Sequence, residues 1–285
     1  MANLKEIRNR ISSVSSTMQI TSAMKMVSAA KLKKAQDAIT AMRPYANKLT
    51  ALLQNLSANL DAESGSKFAE SRPVKTVLIV AITSNRGLCG AFNSNIIKQT
   101  NQLAEIYSDK KVSVVAIGKK GNDVLSKNLE ILSNQSTVFD KLSFENVAEI
   151  AEMLMAKFES GAFDKIELVY NKFKNAATQI VTTEQFLPIV ATADERGVPS
   201  DYIFEPTKEE IVKTLIPKSL KMQLYKAIRD SFASEHGARM TAMHKATDNA
   251  TELRDQLKLT YNKARQAAIT NEILEIVGGA EALNS

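Results

Sequence analysis

The chain of 285 residues has one cysteine, Cys89, two histidines, His236 and His244, and no tryptophan. A single cysteine excludes an internal disulfide and suits a reducing compartment. With so few Cys and His, a zinc centre or a Ser-His-Asp relay has almost no members to draw on. Aromatics make up only 6% of the chain, low for one round core. No stretch approaches the ~20 consecutive apolar residues of a membrane span. The opening MANLKEIRNRISSV lacks the apolar core of a secretory signal. An apolar share of 44% against 24% charged residues excludes wholesale disorder.

Helix breakers are missing from both ends. Before Gly65 there is no glycine and the only proline is Pro44, while Pro217 and Gly237 alone interrupt residues 207–277. Apart from Gly278 and Gly279, the remaining breakers cluster in the middle, with glycines at 65, 87, 90, 118, 121, 161 and 197 and prolines at 73, 188, 199 and 206. Three segments are therefore expected: a helical 1–60, a globular 61–206 and a helical 207–285.

Periodicity supports this division. Alternate steps of three and four from Leu4 reach Ile7, Ile11, Val14, Met18, Thr21, Lys25, Ser28, Leu32, Ala35, Ile39, Met42, Ala46, Leu49, Leu53, Leu56 and Leu60, and fourteen of the seventeen are apolar. That is a heptad seam. At Thr21, Lys25 and Ser28 the apolar residues shift to Ile20, Met24 and Val27, so a local break is expected there. Pro44 is expected to bend the helix, and Asn3 followed by Glu6 suits a helix start. Thr207-Lys-Glu-Glu210 reads as a capping box. The segment it opens carries Leu220, Leu224, Ile228 and Phe232, then Ala238, Ala242, Ala246 and Ala250, then Leu253, Leu257, Ala264 and Ala268. Residues 207–277 would reach about 105 Å as a helix, so this helix must protrude and needs a mate. The amino-terminal heptads are the obvious one, in an antiparallel coiled coil.

The middle alternates between the two periods. Val74–Thr83, Val112–Ile117 and Leu129–Leu132 read as strands, and Lys165–Phe173 with Gln179–Phe186 as a hairpin. Asn93–Ile106, with Ile96, Ile97, Leu103 and Ile106 inward, Asp123–Lys127 and Phe144–Phe158 read as helices. The fold class is α/β, a Rossmann-like middle domain joined to a coiled coil of the two terminal helices.

Charge is unevenly spread. Residues 1–60 carry nine basic side chains against two acidic, residues 61–206 sixteen against nineteen, and residues 207–285 twelve against ten. The basic end implies an acidic partner, whether protein, nucleic acid or lipid surface. Against nucleic acid, no aromatic interleaves with those lysines before Tyr45. The turn Thr83–Gly90 stands where an α/β domain binds phosphate, but it lacks the three-glycine and Gly-Lys-Ser/Thr patterns. Gly118-Lys-Lys-Gly121 fails the same test. Tight turns are the better reading of both. Cys89 reads as a packing residue, and His236 and His244, two turns apart, cannot complete a metal site.

Four stretches carry a resemblance: TSAMKMVSAAKLKKAQ (21–36), SNRGLCGAFN (84–93), ARMTAMHKATDNATEL (238–253) and YNKARQAAITNEILEIVGGAEAL (261–283). In order, spacing and length the whole chain resembles the gamma subunit of rotary F-type ATP synthases. The resemblance implies a non-catalytic, cofactor-free rotor whose terminal helices thread a hexamer of three alpha and three beta subunits. It also implies a middle domain near the membrane c ring, with the epsilon subunit alongside, turned by proton flow. Met24 and Lys25 would face an acidic loop of the beta subunits, and Arg265, Gln266, Thr270 and Glu272 would form the tail contacts with one beta subunit. Tyr202 and Glu205 would lie nearest the c ring and epsilon. Membrane association would be indirect, on the cytoplasmic side of a bacterial inner membrane. Because Cys89 is alone, the thiol control of the chloroplast form is not expected. A basic coiled coil that binds nucleic acid is the second reading, and an α/β enzyme using residues 84–90 the third.

Overall fold

A computed structural model describes residues 4–57, 67–70, 72–189 and 208–284. Two long helices bracket the chain, α1 (Leu4–Ser57) and α5 (Lys208–Asn284). Between them lie β1 (Thr76–Ile82), α2 (Phe92–Ile106), β2 (Lys111–Ile117), α3 (Lys119–Leu125), β3 (Glu130–Asn134), α4 (Phe144–Glu159), β4 (Lys165–Phe173) and β5 (Gln179–Leu187). The chain forms two compact units, Met1–Ser28 with Met240–Ser285, and Ala29–Arg239. The expected capping box begins at Thr207, outside the described residues.

In the larger unit, five strands form one sheet in the order β3-β2-β1-β4-β5. The first four are parallel and β5 returns antiparallel against β4 as the expected hairpin. Sequence steps from β1 outward to β3, then back across β1 to β4. Right-handed crossovers consequently put α2 and α3 on one face and α4 on the other. Alternate residues of β1 serve the two layers. Val77, Ile79 and Ala81 pack with Ile96 and Leu103 of α2, while Leu78, Val80 and Ile82 pack with Val147, Leu154 and Phe158 of α4 and with Leu220, Leu224 and Ile228 of α5. Both faces being covered, β1 reads as an unbroken apolar run.

Two expectations in this unit need correction. Ile106 points outward, 68% exposed, because it closes α2 beyond the last turn that meets the sheet. The short helix is Lys119–Leu125, not Asp123–Lys127. Thr83 starts it early: its hydroxyl accepts the Gly121 amide at 2.9 Å and lies 3.2 Å from the Gly118 carbonyl. Gly118 turns into the helix at φ +117°, where a Cβ would lie 2.3 Å from the Thr83 carbonyl oxygen. Pro44, expected to bend α1, lies inside the helix, which continues to Ser57.

Along α1 the fourteen seam positions from Leu4 to Leu49 are all buried or half-buried. The expected break at Thr21–Ser28 is absent. Thr21 and Ser28 are buried, whereas Ile20 and Val27 are 60% and 57% exposed. The small hydroxyls fit the seam because each bonds its own helix, Ser28 to the Met24 carbonyl at 2.8 Å and Thr21 to that of Met18 at 3.1 Å. Burial then leaves neither hydroxyl unsatisfied.

Candidate functional site

The smaller unit is a helix pair whose register can be read from its polar contacts. Arg8 donates to the Tyr261 hydroxyl at 2.8 Å with its guanidinium over the ring. Met18 Sδ accepts from Thr251 at 3.3 Å and lies 3.5 Å from Arg254 Nη1. The hydroxyls of Thr21 and Thr247 meet at 2.8 Å. Ten residues up α1, from Arg8 to Met18, match ten down α5, from Tyr261 to Thr251. The helices run antiparallel without slippage.

On α5 the half-buried and buried positions follow four-three steps: Met243, Thr247, Ala250, Arg254, Leu257, Tyr261, Ala264 and Ala268. Of the seam expected from sequence, Ala250, Leu257, Ala264 and Ala268 lie on this heptad and Ala242 and Ala246 are half-buried beside it, whereas Leu253 is exposed. Thr247, Arg254 and Tyr261 escape the sequence reading because a seam sought among apolar residues passes over polar ones. A constant heptad count back from Ala268 finds them.

In the larger unit, residues 84–90 follow β1 at the carboxyl end of the sheet, where strand order reverses between β1 and β4 and α/β folds accept ligands. Here the turn is tied to its neighbours by hydrogen bonds. The Ser84 amide donates to Asn93 Oδ1 at 2.9 Å, Asn171 donates to the Phe92 carbonyl at 3.0 Å, and Ser234 of α5 donates to the Asn171 carbonyl at 2.9 Å. Ala238 packs on Cys89 and Phe92. Arg239 secures the turn, bonding the Arg86 and Gly87 carbonyls at 2.9 and 3.2 Å and pairing with Glu235 at 2.7 Å, both side chains buried. Leu88 at the tip holds φ +61° and is exposed.

Burial governs the titratable groups here. Burial pushes the Cys89 thiol up, away from the reactive thiolate. Burial, with Arg239 and Lys31 beside it, drives His236 down to about 3, so it stays neutral. Burial also raises the Glu235 carboxyl, a shift that Arg239 opposes. Among the described residues no group of three or more His, Cys, Asp or Glu could hold a metal.

The residues expected to meet partners fall into three sets. Met24 and Lys25 are half-buried on α1 beside the exposed Ile20, Met26 and Val27. Arg265, Gln266, Thr270 and Glu272 are all exposed on α5, and Thr270 bonds the Gln266 carbonyl of its own helix, at 3.0 Å. Tyr202 and Glu205 lie outside the described residues. The structure adds an exposed apolar row near the tail: Ile269, Ile273, Leu274, Ile276 and Val277 are between 48% and 71% exposed. Ile269, Ile273 and Ile276 fall on one side of the helix, at steps of four and three.

Comparison with known proteins gives one result throughout. The family profile described as ATP synthase matches residues 3–283. The chain is 76% identical to the ATP synthase gamma chain of Flavobacterium psychrophilum over 99% of both chains, and 75% identical to that of Flavobacterium johnsoniae over the full length of both. Among solved structures, the central stalk and c ring of the Tetrahymena thermophila mitochondrial ATP synthase contain a chain 26% identical, with a TM-score of 0.58 over 80% of this chain and 99% of that one. A chain of the Euglena gracilis mitochondrial ATP synthase shares the fold, with a TM-score of 0.70 over 98% and 94%.

Proposed function

The chain belongs to the ATP synthase gamma chain family, a rotor component of the F-type ATP synthase central stalk, and we propose that it carries torque between the membrane c ring and the catalytic alpha/beta hexamer without performing bond chemistry itself. The observation that carries this reading is the antiparallel register from Arg8–Tyr261 to Thr21–Thr247. A lone helix twists and frays, because most of its stability comes from packing. Two helices pinned at matched levels turn as one body.

The partner contacts of this reading are those that the family resemblance implies. Lys25 and the exposed apolar residues around Met24 meet an acidic loop of the beta subunits. Arg265, Gln266, Thr270 and Glu272 form the tail contact with one beta subunit, and the apolar row from Ile269 to Val277 turns against an apolar sleeve in the hexamer. Tyr202 and Glu205 contact the c ring and epsilon. Residues 1–60 and 207–285 form the shaft and 61–206 its base, attached to the membrane only through the c ring on its cytoplasmic side. Proton flow drives the rotation.

Ser234 and Ala238 of α5 pack on the turn after β1 and on β4, which suits a base that anchors the long helix. The relatives give no support to a nucleic-acid-binding coiled coil. Affinity purification of the tagged chain from native membranes tests the assignment. Alpha and beta subunits should co-purify in threefold excess, and their absence overturns it.

A further inference from the structure

Within the larger unit, one buried carboxylate is left out of every bonding arrangement described so far. Asp230 of α5 has a side chain only 2% exposed, and its Oδ1 has no hydrogen-bond partner among the described residues. The neighbouring carboxylate, Glu184 of β5, is satisfied, accepting from the Tyr170 hydroxyl at 2.8 Å and from Gln223 at 2.7 Å. Asp230 instead faces Arg43 of α1, whose Nη2 stands 3.8 Å from Oδ1, inside ion-pair range but too far for a hydrogen bond.

The place of Arg43 gives this gap a purpose. It directly precedes Pro44, which has no amide to donate to the Thr40 carbonyl, so α1 lacks one rung of its own ladder here. A helix under twist yields first at a missing rung. Nearby, Ile39 of α1 and Leu220 and Leu224 of α5 are buried apolar side chains, and non-directional packing resists axial sliding poorly. A charge pair between the helices weakens as its partners separate, so it would resist sliding.

We propose that Asp230 is a positioning residue, whose ionised carboxylate draws in Arg43 and fixes the register of α1 against α5 at the proline. Every charged group facing Asp230 bears on its ionisation. Burial, which opposes the charged form most strongly, and Glu184 raise the carboxyl above its ordinary value, against the pull of Arg43 of α1, Lys226 of α5 and Lys172 of β4. Tyr170 of β4 stays protonated, its hydroxyl pushed up by burial, Glu184 and Asp230. The carboxylate is thus held at a cost in stability, which sets a register role apart from a merely structural one. A structural acid destabilises the chain when it is neutralised; this one does not.

The inference rests on the rotor reading, and the assembled complex tests it in membrane vesicles as protons pumped per ATP hydrolysed. Asp230→Asn and Arg43→Gln should each lower that ratio several-fold, and the double variant should do no worse than either. Asp230→Glu, which keeps the charge and narrows the gap, should restore it. Thermal unfolding of the full Asp230→Asn chain should occur at or above the wild-type temperature. Pumping by wild-type vesicles tests the rotor, and the variants test the latch, so the two fail separately. If Arg43→Gln, a half-exposed site that folding tolerates, pumps as wild type, the latch is overturned, whatever Asp230→Asn does. A lower unfolding temperature for Asp230→Asn also overturns it.

Discussion

The hydroxyl of Thr247 lies 2.8 Å from that of Thr21 on the facing helix and 2.8 Å from the Met243 carbonyl of its own. One proton serves both acceptors, while Thr21 passes its own to the Met18 carbonyl. The pair is therefore satisfied without water, within the seam between the two helices. A slip by one residue would separate the hydroxyls. A slip by a whole heptad would take Tyr261 away from Arg8 and set it level with Ser15, which has no guanidinium to lay over its ring. Polar seam pairs of this kind fix register more sharply than leucines do.

Arg239 ties α5 to the turn after β1. Replacing it by glutamine leaves Glu235 buried without its cation and frees the Arg86 and Gly87 carbonyls. Breaking a buried pair in this way costs about 3 kcal/mol or more. Denaturant unfolding of the full chain should show that loss, and amide exchange should rise across residues 84–90.

Gly121 has no room for a side chain. A Cβ there would come within 2.6 Å of Thr83 Oγ1, the atom that accepts the Gly121 amide. Gly121→Ala should destabilise the chain by about 2 kcal/mol through overpacking and a strained hydrogen bond. Adding Thr83→Ser, which removes the methyl but not the hydroxyl, should recover part of it in the same unfolding measurement.

His236 makes the chain acid-sensitive. Its folded value of about 3 lies below the free imidazole value. The stability it contributes is complete above the free value of about 6.5 and is lost as pH falls from there toward 3. The full shift corresponds to about 5 kcal/mol. His236→Phe, which can keep the edge-to-face contact with Phe232, should flatten the fall of melting temperature between pH 6.5 and pH 4 (about the range in which the group titrates).

Arg265 and Gln266 are exposed and anchor nothing in the chain's own core. Alanine at both should shift the stability of the purified chain by less than about 0.5 kcal/mol, yet weaken its retention in the alpha/beta hexamer. Pull-down with purified hexamer, compared with the melting temperature of the free chain, separates the two effects.

Much of this is legible in the residues. Val74–Thr83 announces a strand buried on both faces, and the heptads from Leu4 to Leu49 announce a shaft. What stays hidden are places where polar groups take apolar positions. Thr21 and Ser28 look like a break because their hydroxyls read as needing water, and only the i−3 and i−4 carbonyls show otherwise. Thr247, Arg254 and Tyr261 are hidden for the same reason. The Glu235–Arg239 clamp is an i,i+4 pair that sequence reads as solvated. Its burial comes from the turn at residues 86–87, and Arg86 is 153 positions from Arg239 in sequence. The exposure of Ile269, Ile273 and Ile276 is equally unreadable, because an apolar stripe looks the same whether it packs at home or awaits a partner.

The most direct measurement is a disulfide between the helices. Thr21→Cys with Thr247→Cys, in a chain whose natural Cys89 is replaced by serine, places two thiols where hydroxyls now touch. Oxidation of the assembled complex should form the bond in nearly every molecule and leave ATP-driven proton pumping intact, because both helices turn together. If the bond fails to form, or if forming it stops the pumping, the two helices are not one antiparallel shaft.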